Sequence, residues 1–292
     1  MFLRVGLISF VSLILSACGN LQAVRVAEVP SDIRSGGLSV AESRPTKDLV
    51  APRAYEVPER SLFVQQTSGG NAALGVLLGP LGVLANSANI DRITQEMGES
   101  GKSASLYTLD SLDLAKSAWA DRIPAKHSSA QLIQLKPYLV LLSQGKDLPI
   151  NTLIAVRAEG PTAIGEAKTP WTGNYFYCSN RTLPAAWLSS PIPTQELDVY
   201  KASIKAGFTE LLSEIERDLS TTQKPKRDIA WVDSPECFGN SVGMPGDIGK
   251  NEAGHLTLRA MWGDYGRIYN LMVFTSDSQY RFSNGPVARE SK

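Results

Sequence analysis

Residues 193–220 read PTQELDVYKASIKAGFTELLSEIERDLS, which is the clearest helical pattern in the chain. Apolar side chains recur at steps of three or four from Leu197 to Leu219 and form one continuous face. Pro193 precedes the pattern, and Glu196 lies near the amino end, where a negative charge is favourable. The opposite face lacks the Lys and Arg enrichment of a membrane-surface helix, so we expect this helix to cover a sheet.

Three apolar segments precede this helix, at 132–143, 151–158 and 171–178. They are rich in aliphatic and aromatic residues and are separated by Gly, Pro and Asp. This pattern predicts a three-stranded antiparallel meander. Further upstream, we expect Thr108 to cap a helix whose apolar positions extend to Ile123.

The segment after the long helix has weaker periodicity. It contains a short strand pattern at 230–233, a glycine-rich stretch at 239–254, and a hairpin pattern formed by 255–262 and 267–275. A last strand is expected at 279–282. The order of all these elements predicts an α+β fold with antiparallel sheets and with helices packed on one face.

Composition and charge exclude several classes of protein. The 292 residues are 43% hydrophobic and 20% charged, which excludes wholesale disorder, collagen-like repeats and a protein with many membrane spans. The 29 Lys and Arg residues balance the 29 Asp and Glu residues, so we expect no nucleic-acid partner. The two histidines leave little material for a metal site, and the sequence predicts neither a metal nor a cofactor.

The amino terminus has the three parts of a secretory signal. Residues 1–18 read MFLRVGLISFVSLILSAC, with one positive charge at Arg4, an apolar run and then small residues. The apolar run is too short to span a membrane. Residues 15–18, LSAC, match a lipobox, and in these residues the chain resembles bacterial lipoproteins. An ordinary secretory signal followed by a chance cysteine is the alternative.

The resemblance implies that residues 1–17 are a signal peptide and that Cys18 carries lipid on its thiol and its amine. Three acyl chains would anchor the protein permanently in the membrane, which is the partner that the resemblance implies. Glycine, not aspartate, follows Cys18, which resembles the outer-membrane lipoproteins of Gram-negative bacteria. We therefore expect a lipid anchor in the outer membrane and a folded body in the periplasm. The order of three strands and a long helix also resembles envelope lipoproteins whose roles are uncharacterised, and it implies no mechanism.

Two cysteines remain besides Cys18. Export would place Cys178 and Cys237 in an oxidising compartment, where an even pair is expected to form a disulfide. Neither lies in a Cys-x-x-Cys motif, and the two histidines are too distant for the ligand spacing of a zinc site. Redox and zinc chemistry therefore have little support.

Composition also divides the mature chain. Residues 18–60 contain four prolines among mixed charges and are expected to carry the lipidated cysteine and a flexible tether. Residues 61–292 are expected to form the folded body, with a subdivision near 222–255 left open. Residues 61–90 carry no formal charge and centre on 72–85, AALGVLLGPLGVLA. We expect this centre to be buried, and a membrane-inserting segment or a self-associating glycine face are the alternatives.

One motif of nucleophilic catalysis occurs. Residues 239–243 read GNSVG, a literal G-x-S-x-G, and Asp247 and His255 follow in Ser/Asp/His order. A nucleophile elbow needs a strand before the serine and a helix after it, and neither pattern is present. Residues 243–250, GMPGDIGK, lack the spacing and the Ser/Thr of a phosphate-binding loop and are expected to form a surface loop. Ser241 with His255 therefore defines only an alternative hypothesis.

Taken together, these patterns predict a non-catalytic envelope accessory protein. It would be anchored in the outer membrane and would bind an envelope protein partner. The two alternatives are a periplasmic serine hydrolase that uses Ser241 and His255, and a protein that inserts residues 72–85 into a membrane.

Overall fold

The computed structural model describes residues 29, 33, 37–50, 53–66, 88–101, 104–123, 132–143, 148–160, 171–220, 228–234, 237, 244–260, 268–275 and 281–283. Cys18, Ser241 and the segment 72–85 lie outside these residues, and so does the signal peptide. The predictions made for them therefore stay predictions.

Within the described residues, eleven strands belong to one sheet. In chain order they are β1 (Leu38–Val40), β2 (Tyr55–Val57), β3 (Leu62–Gln66), β4 (Ile133–Ser143), β5 (Ile150–Glu159), β6 (Thr172–Leu183), β7 (Asp228–Asp233), β8 (Met244–Lys250), β9 (Leu256–Ala260), β10 (Ile268–Phe274) and β11 (Arg281–Ser283). The helices are α1 (Lys47–Val50), α2 (88–100), α3 (Ser111–Trp119) and α4 (Thr194–Ser220). Single 3-10 turns occupy Pro58–Arg60, Ser105–Thr108 and Ala185–Leu188. These elements confirm the α+β class.

The sheet is mixed, with the order β11-β7-β8-β9-β10-β6-β5-β4-β3-β2. The central meander β4-β5-β6 and the hairpin β9-β10 are antiparallel, as expected. Parallel pairs join β6 to β10 and place β1 and β3 on the same edge of β4. The expectation of purely antiparallel sheets is therefore too narrow, because alternation of side chains along a strand carries no information about the direction of a distant partner.

The two short strands beside β4 explain a proline in its centre. The backbone N–H of Ile133 donates to the Gly37 oxygen, and that of Leu139 donates to the Ser61 oxygen. Odd-numbered residues of β4 therefore direct their N–H groups toward β1 and β3. Pro137 lies between the two contacts, after β1 has ended and before β3 begins. An N–H group is not needed there, so proline is tolerated in an otherwise central strand.

The main core lies between the sheet and helices α3 and α4. On β4, Leu139 and Leu141 face the helices, whereas Tyr138 and Val140 face the opposite side. The buried apolar stripe of α4 comprises Tyr200, Ile204, Phe208, Leu211, Leu212, Ile215 and Leu219. The prediction that the long helix covers a sheet is confirmed.

The amino end of α3 is capped by Asp110 rather than by Thr108. The N–H groups of Leu112 and Asp113 donate to Asp110 Oδ1 at 3.0 and 3.3 Å. Arg44 adds two hydrogen bonds to the same carboxylate, each 2.9 Å long. Burial favours a higher pKa for Asp110, but the hydrogen bonds from Arg44 and the helix N–H groups outweigh it and lower the pKa. The expected cap was wrong by two positions, because both residues are good capping types.

Residues 37–50 and 53–60 belong to the sheet and its surroundings, although the sequence assigns them to the tether. β1 pairs with β4, β2 pairs with β3, and Arg44 reaches the cap of α3. Val29 and Ile33 are each only 6% exposed in the main core. The folded body therefore begins well before residue 61. Strands of three residues between prolines are too short to leave an apolar period in the sequence.

β8 is formed by residues that the sequence assigns to a surface loop. Its backbone pairs with β7 on one edge and with β9 on the other. A Cβ atom on Gly246 would lie 2.3 Å from the carbonyl oxygen of Arg259, so the close approach of β9 requires glycine at this position. The loop prediction is wrong because pairing on both edges overrides the low strand propensity of glycine and proline.

The opposite face of the sheet carries two smaller buried clusters. One includes Phe63 and Tyr138, whose rings meet edge to face with centroids 5.8 Å apart. The other surrounds Cys178 of β6 and Cys237, which follows β7. These cysteines form a disulfide with Cα atoms 5.6 Å apart and a sequence separation of 59. The predicted pairing is confirmed, and it ties the segment after β7 to the central meander.

Candidate functional site

His255 lies in the turn between β8 and β9 and faces helix α4. Its Nδ1 atom is 3.2 Å from Glu210 Oε1, and its backbone N–H donates to Asn251 Oδ1 at 2.8 Å. The amide nitrogen of Asn251 donates to the same Glu210 oxygen at 2.5 Å. Glu210 therefore contacts the imidazole ring directly, and Asn251 links the Glu210 carboxylate to the backbone of His255. A carboxylate held against Nδ1 is also the arrangement that orients a histidine in acid–base catalysis.

Asp247 does not take part in this group, contrary to the order Ser241, Asp247, His255 in the sequence. Asp247 lies opposite Arg259 in the β8-β9 ladder, whereas His255 lies beyond the last pair of that ladder, Lys250 with Leu256. Four strand positions separate His255 from Arg259, a span of roughly 13 Å. The carboxylate beside His255 is thus Glu210, and the proposed nucleophile is not among the described residues.

Glu210 is the first of three acidic residues spaced by one helical turn along α4. Glu214 is 3% exposed and pairs with Arg217, and Asp218 is 4% exposed and accepts a hydrogen bond of 2.8 Å from Arg259. The apolar stripe of α4 therefore contacts the central meander. The acidic residues beside this stripe contact the β8-β9 hairpin through charged and polar groups.

Burial shifts the pKa values of the titratable groups in this polar contact. It is the largest cause that raises the pKa of Glu214, and the charges of Asp218 and Glu210 act in the same direction, while Arg217 and a hydrogen bond from Asn251 oppose it. Burial also raises the pKa of Tyr177, with a further contribution from Glu210. The network therefore disfavours additional negative charge between α4 and the sheet.

We expect Glu214→Gln to raise the melting temperature by a few degrees at neutral pH. Folding raises the pKa of Glu214, so the neutral carboxyl stabilises the folded state below the usual pKa of 4.5. This contribution to stability is lost as the pH rises through the raised pKa. Glutamine stays neutral, so the advantage of the variant should shrink toward pH 4. Thermal melts between pH 4 and pH 8 measure this difference. Glu216→Gln is the control, because this side chain of α4 is 39% exposed and pairs with Arg122, and equal shifts in both variants would contradict the argument.

A cavity of about 780 Å³ opens at one end of the central strands. Gln66 and Ser143, the last residues of β3 and β4, line it together with Pro149, which precedes β5. The 3-10 turn Ala185–Leu188 after β6 lines it as well. Because β5 is antiparallel to both neighbours, the ends of β4 and β6 meet the start of β5 at this edge. We call this edge the cavity end of the sheet.

Helix α2 completes the lining of the cavity. Ile93 and Met97 supply apolar surface, and Thr94 docks the helix because its Oγ1 accepts a hydrogen bond of 3.1 Å from the backbone N–H of Gln66. Glu96 also lines the cavity and pairs with Arg92 on the exposed side of the helix. The lining is thus mostly apolar or small, with a few polar groups, which is the usual composition of a binding cavity.

Comparisons with protein-family models, curated proteins and solved structures give no match to this chain. In the described part of the chain, three or more His, Cys, Asp or Glu side chains are nowhere grouped so that they could hold a metal ion. A helix long and apolar enough to cross a membrane is also not found among those residues. The candidate site is therefore argued from its own geometry.

Sequence reasoning did not find the partners of His255 or the cavity. The spacing of Glu210, Glu214 and Asp218 on one side of the apolar stripe was a readable signal of a polar helix contact. The cavity left no such signal, because its lining comes from β3, β4, α2 and the turn after β6, which are far apart in sequence. A site of this kind becomes visible only when the strand order is known.

Proposed function

We propose that this protein is a lipid-anchored accessory protein of the bacterial outer membrane, which binds an envelope protein partner and is not an enzyme. The lipobox at residues 15–18 supports the anchor. The observation that supports binding is the cavity at the end of the central strands, with its mostly apolar lining and its volume of about 780 Å³. This volume falls within the range of established binding cavities.

The occupant that we propose is a short apolar segment of the partner protein. Strand ends, helix α2 and the 3-10 turn Ala185–Leu188 contribute to the lining of the cavity, so paired backbone holds part of its shape. Each apolar side chain that leaves water there contributes roughly 1.5–3 kcal/mol before the entropic cost of association.

Replacing Cys18 with alanine tests the anchor. Without the thiol the lipid cannot be attached, so the protein should leave the membrane fraction for the soluble periplasmic fraction, or stay uncleaved. Fractionation of cells with an antibody against the folded body measures this shift. Asn20→Ala serves as the control because it changes a residue two positions after Cys18 and leaves all three cysteines in place. A Cys18→Ala protein that matures normally and stays with the outer membrane would refute the anchor.

Filling the cavity tests the binding proposal. A photo-crosslinking amino acid at Ala186, an exposed cavity residue, should capture one protein partner in living cells. Adding Ala185→Phe places a ring at the lining and should reduce this adduct by roughly tenfold or more, because each 1.4 kcal/mol of lost contact is a factor of ten. Immunoblots of irradiated cells measure the adduct.

The matched control places the same ring elsewhere. Ala206→Phe adds a phenyl group to the exposed face of α4 and should leave the adduct from position 186 unchanged. An adduct that resists Ala185→Phe, or that Ala206→Phe reduces equally, would contradict binding in the cavity. A complete lack of protein adducts would contradict a protein partner and favour a small-molecule occupant.

A further inference from the structure

The chain enters the folded body at the end of the sheet opposite to the cavity. Val29 and Ile33 are the first described residues, and both are buried in the main core. A Cβ atom on Gly160 would lie 3.0 Å from Cδ1 of Ile33, so Ile33 packs directly on the backbone there. The N–H of Gly160 donates to the Trp171 oxygen at 2.9 Å, at the point where β5 has ended and β6 begins. We call this edge the anchor end.

The length of β5 gives the distance between the cavity end and the anchor end of the sheet. It runs from Ile150 at the cavity end to Glu159 at the anchor end, ten residues in all. At about 3.3 Å per residue, the cavity end lies roughly 30 Å from the anchor end. β1 supports the same assignment, because Ser39 pairs with Gln134, which in turn lies opposite Glu159.

The length of chain before Val29 limits how far the body can move from the membrane. If Cys18 carries the lipid, eleven peptide units join it to Val29. They can span at most about 40 Å, compared with about 150 Å for a tether that ended at residue 61. The anchor end is therefore held close to the bilayer.

From these positions we infer that the cavity faces away from the leaflet that holds the lipid anchor and takes its occupant from the aqueous side. The inference rests on the proposed lipid anchor. It narrows the partner to a soluble protein, or to the water-exposed part of a membrane protein, that reaches across from the aqueous space.

Energy transfer to the membrane surface tests this orientation. In the lipidated protein Cys18 carries lipid and Cys178 pairs with Cys237, so one introduced cysteine is the only free thiol. Gln134→Cys reports on the anchor end and Ser189→Cys on the cavity end, and both positions are exposed. A donor dye is attached to each variant in vesicles of phosphatidylethanolamine and phosphatidylglycerol that contain acceptor-labelled headgroups.

We expect energy transfer from position 134 to exceed that from position 189 roughly twofold or more, because about 30 Å separates the two ends. A Gly/Ser insertion of about 40 residues after Asn20 should make the two values converge, since a longer linker lets the body tumble. Equal transfer in the protein of natural length, or greater transfer from position 189, would overturn the orientation. Protein that fails to float with the vesicles would instead overturn the anchor on which the inference rests.

Discussion

Trp119→Ala is expected to lower the free energy of unfolding by about 3–5 kcal/mol, the usual cost of removing a buried tryptophan. Trp119, the last residue of α3, is 1% exposed and packs against α4. Its indole N–H donates to the backbone oxygen of Phe208 at 2.8 Å, and its ring meets the Phe208 ring edge to face with centroids 5.7 Å apart. The substitution therefore leaves a cavity where the two helices meet and also removes a hydrogen bond.

Two control variants separate these contributions in urea unfolding of the Cys18→Ala protein. Trp119→Phe keeps an aromatic ring but loses the N–H donor, and we expect an intermediate loss of stability. Trp187→Ala removes the same side chain from a half-buried position at the edge of the core, where the cost should be smaller. A Trp119→Ala protein within about 1 kcal/mol of the parent would show that α3 and α4 do not depend on this contact.

The sequence predicted the long elements, in which apolar residues recur at a regular spacing. Helix α4 begins at Thr194 and ends at Ser220, one residue inside the predicted 193–220, because its buried apolar stripe from Tyr200 to Leu219 covers about five and a half turns of helix. The meander strands β4 and β5 also begin and end within one residue of their predicted bounds. These segments are long enough that side-chain alternation or helical spacing decides their state without help from distant partners.

Elements whose state depends on distant partners were missed. β1 and β2 have three residues each, and they are strands because β4 and β3 supply their hydrogen bonds. β8 contains two glycines and a proline, and β7 and β9 hold it on both sides. The parallel pair of β6 and β10 joins segments separated by the whole of α4. Local propensity cannot predict such pairings, since the stabilising contacts lie elsewhere in the chain.

The same reasoning explains the outcome for the site. His255 was singled out by its place after a G-x-S-x-G motif, but its carboxylate partner, Glu210, lies on α4, 45 positions earlier. Helix α4 is therefore an element with two functions. Its apolar stripe builds the core, and its acidic stripe positions the β8-β9 hairpin through Asn251, His255 and Arg259. A sequence pattern reports the first function clearly and the second only weakly, because three acidic residues on a helix more often face water.

Removal of the Cys178–Cys237 bond is expected to lower the free energy of unfolding by about 4 kcal/mol. This is the second largest effect that we predict. Cross-linking 59 positions restricts the unfolded chain, and the chain-entropy relation gives this magnitude for a loop of that length. Both sulfurs also lie in the buried cluster with Leu258 and Phe274. The loop that the disulfide closes contains α4 and β7. When the bond is removed, this part of the unfolded chain gains the most conformational freedom.

Reduction and substitution together isolate the effect of the bond. In the Cys18→Ala background, the double variant Cys178→Ala, Cys237→Ala should show a urea midpoint close to that of the parent protein measured with excess dithiothreitol. The reductant should not change the midpoint of the double variant, which separates loss of the bond from loss of the sulfur atoms. Phe208 of α4 belongs to the loop that the disulfide closes, whereas Trp119 precedes this loop in sequence. Trp119→Ala should therefore be destabilising both with and without the disulfide. A reduced parent as stable as the oxidised one would contradict the chain-entropy argument, because 59 positions cannot be released in the unfolded state without a gain in its conformational freedom.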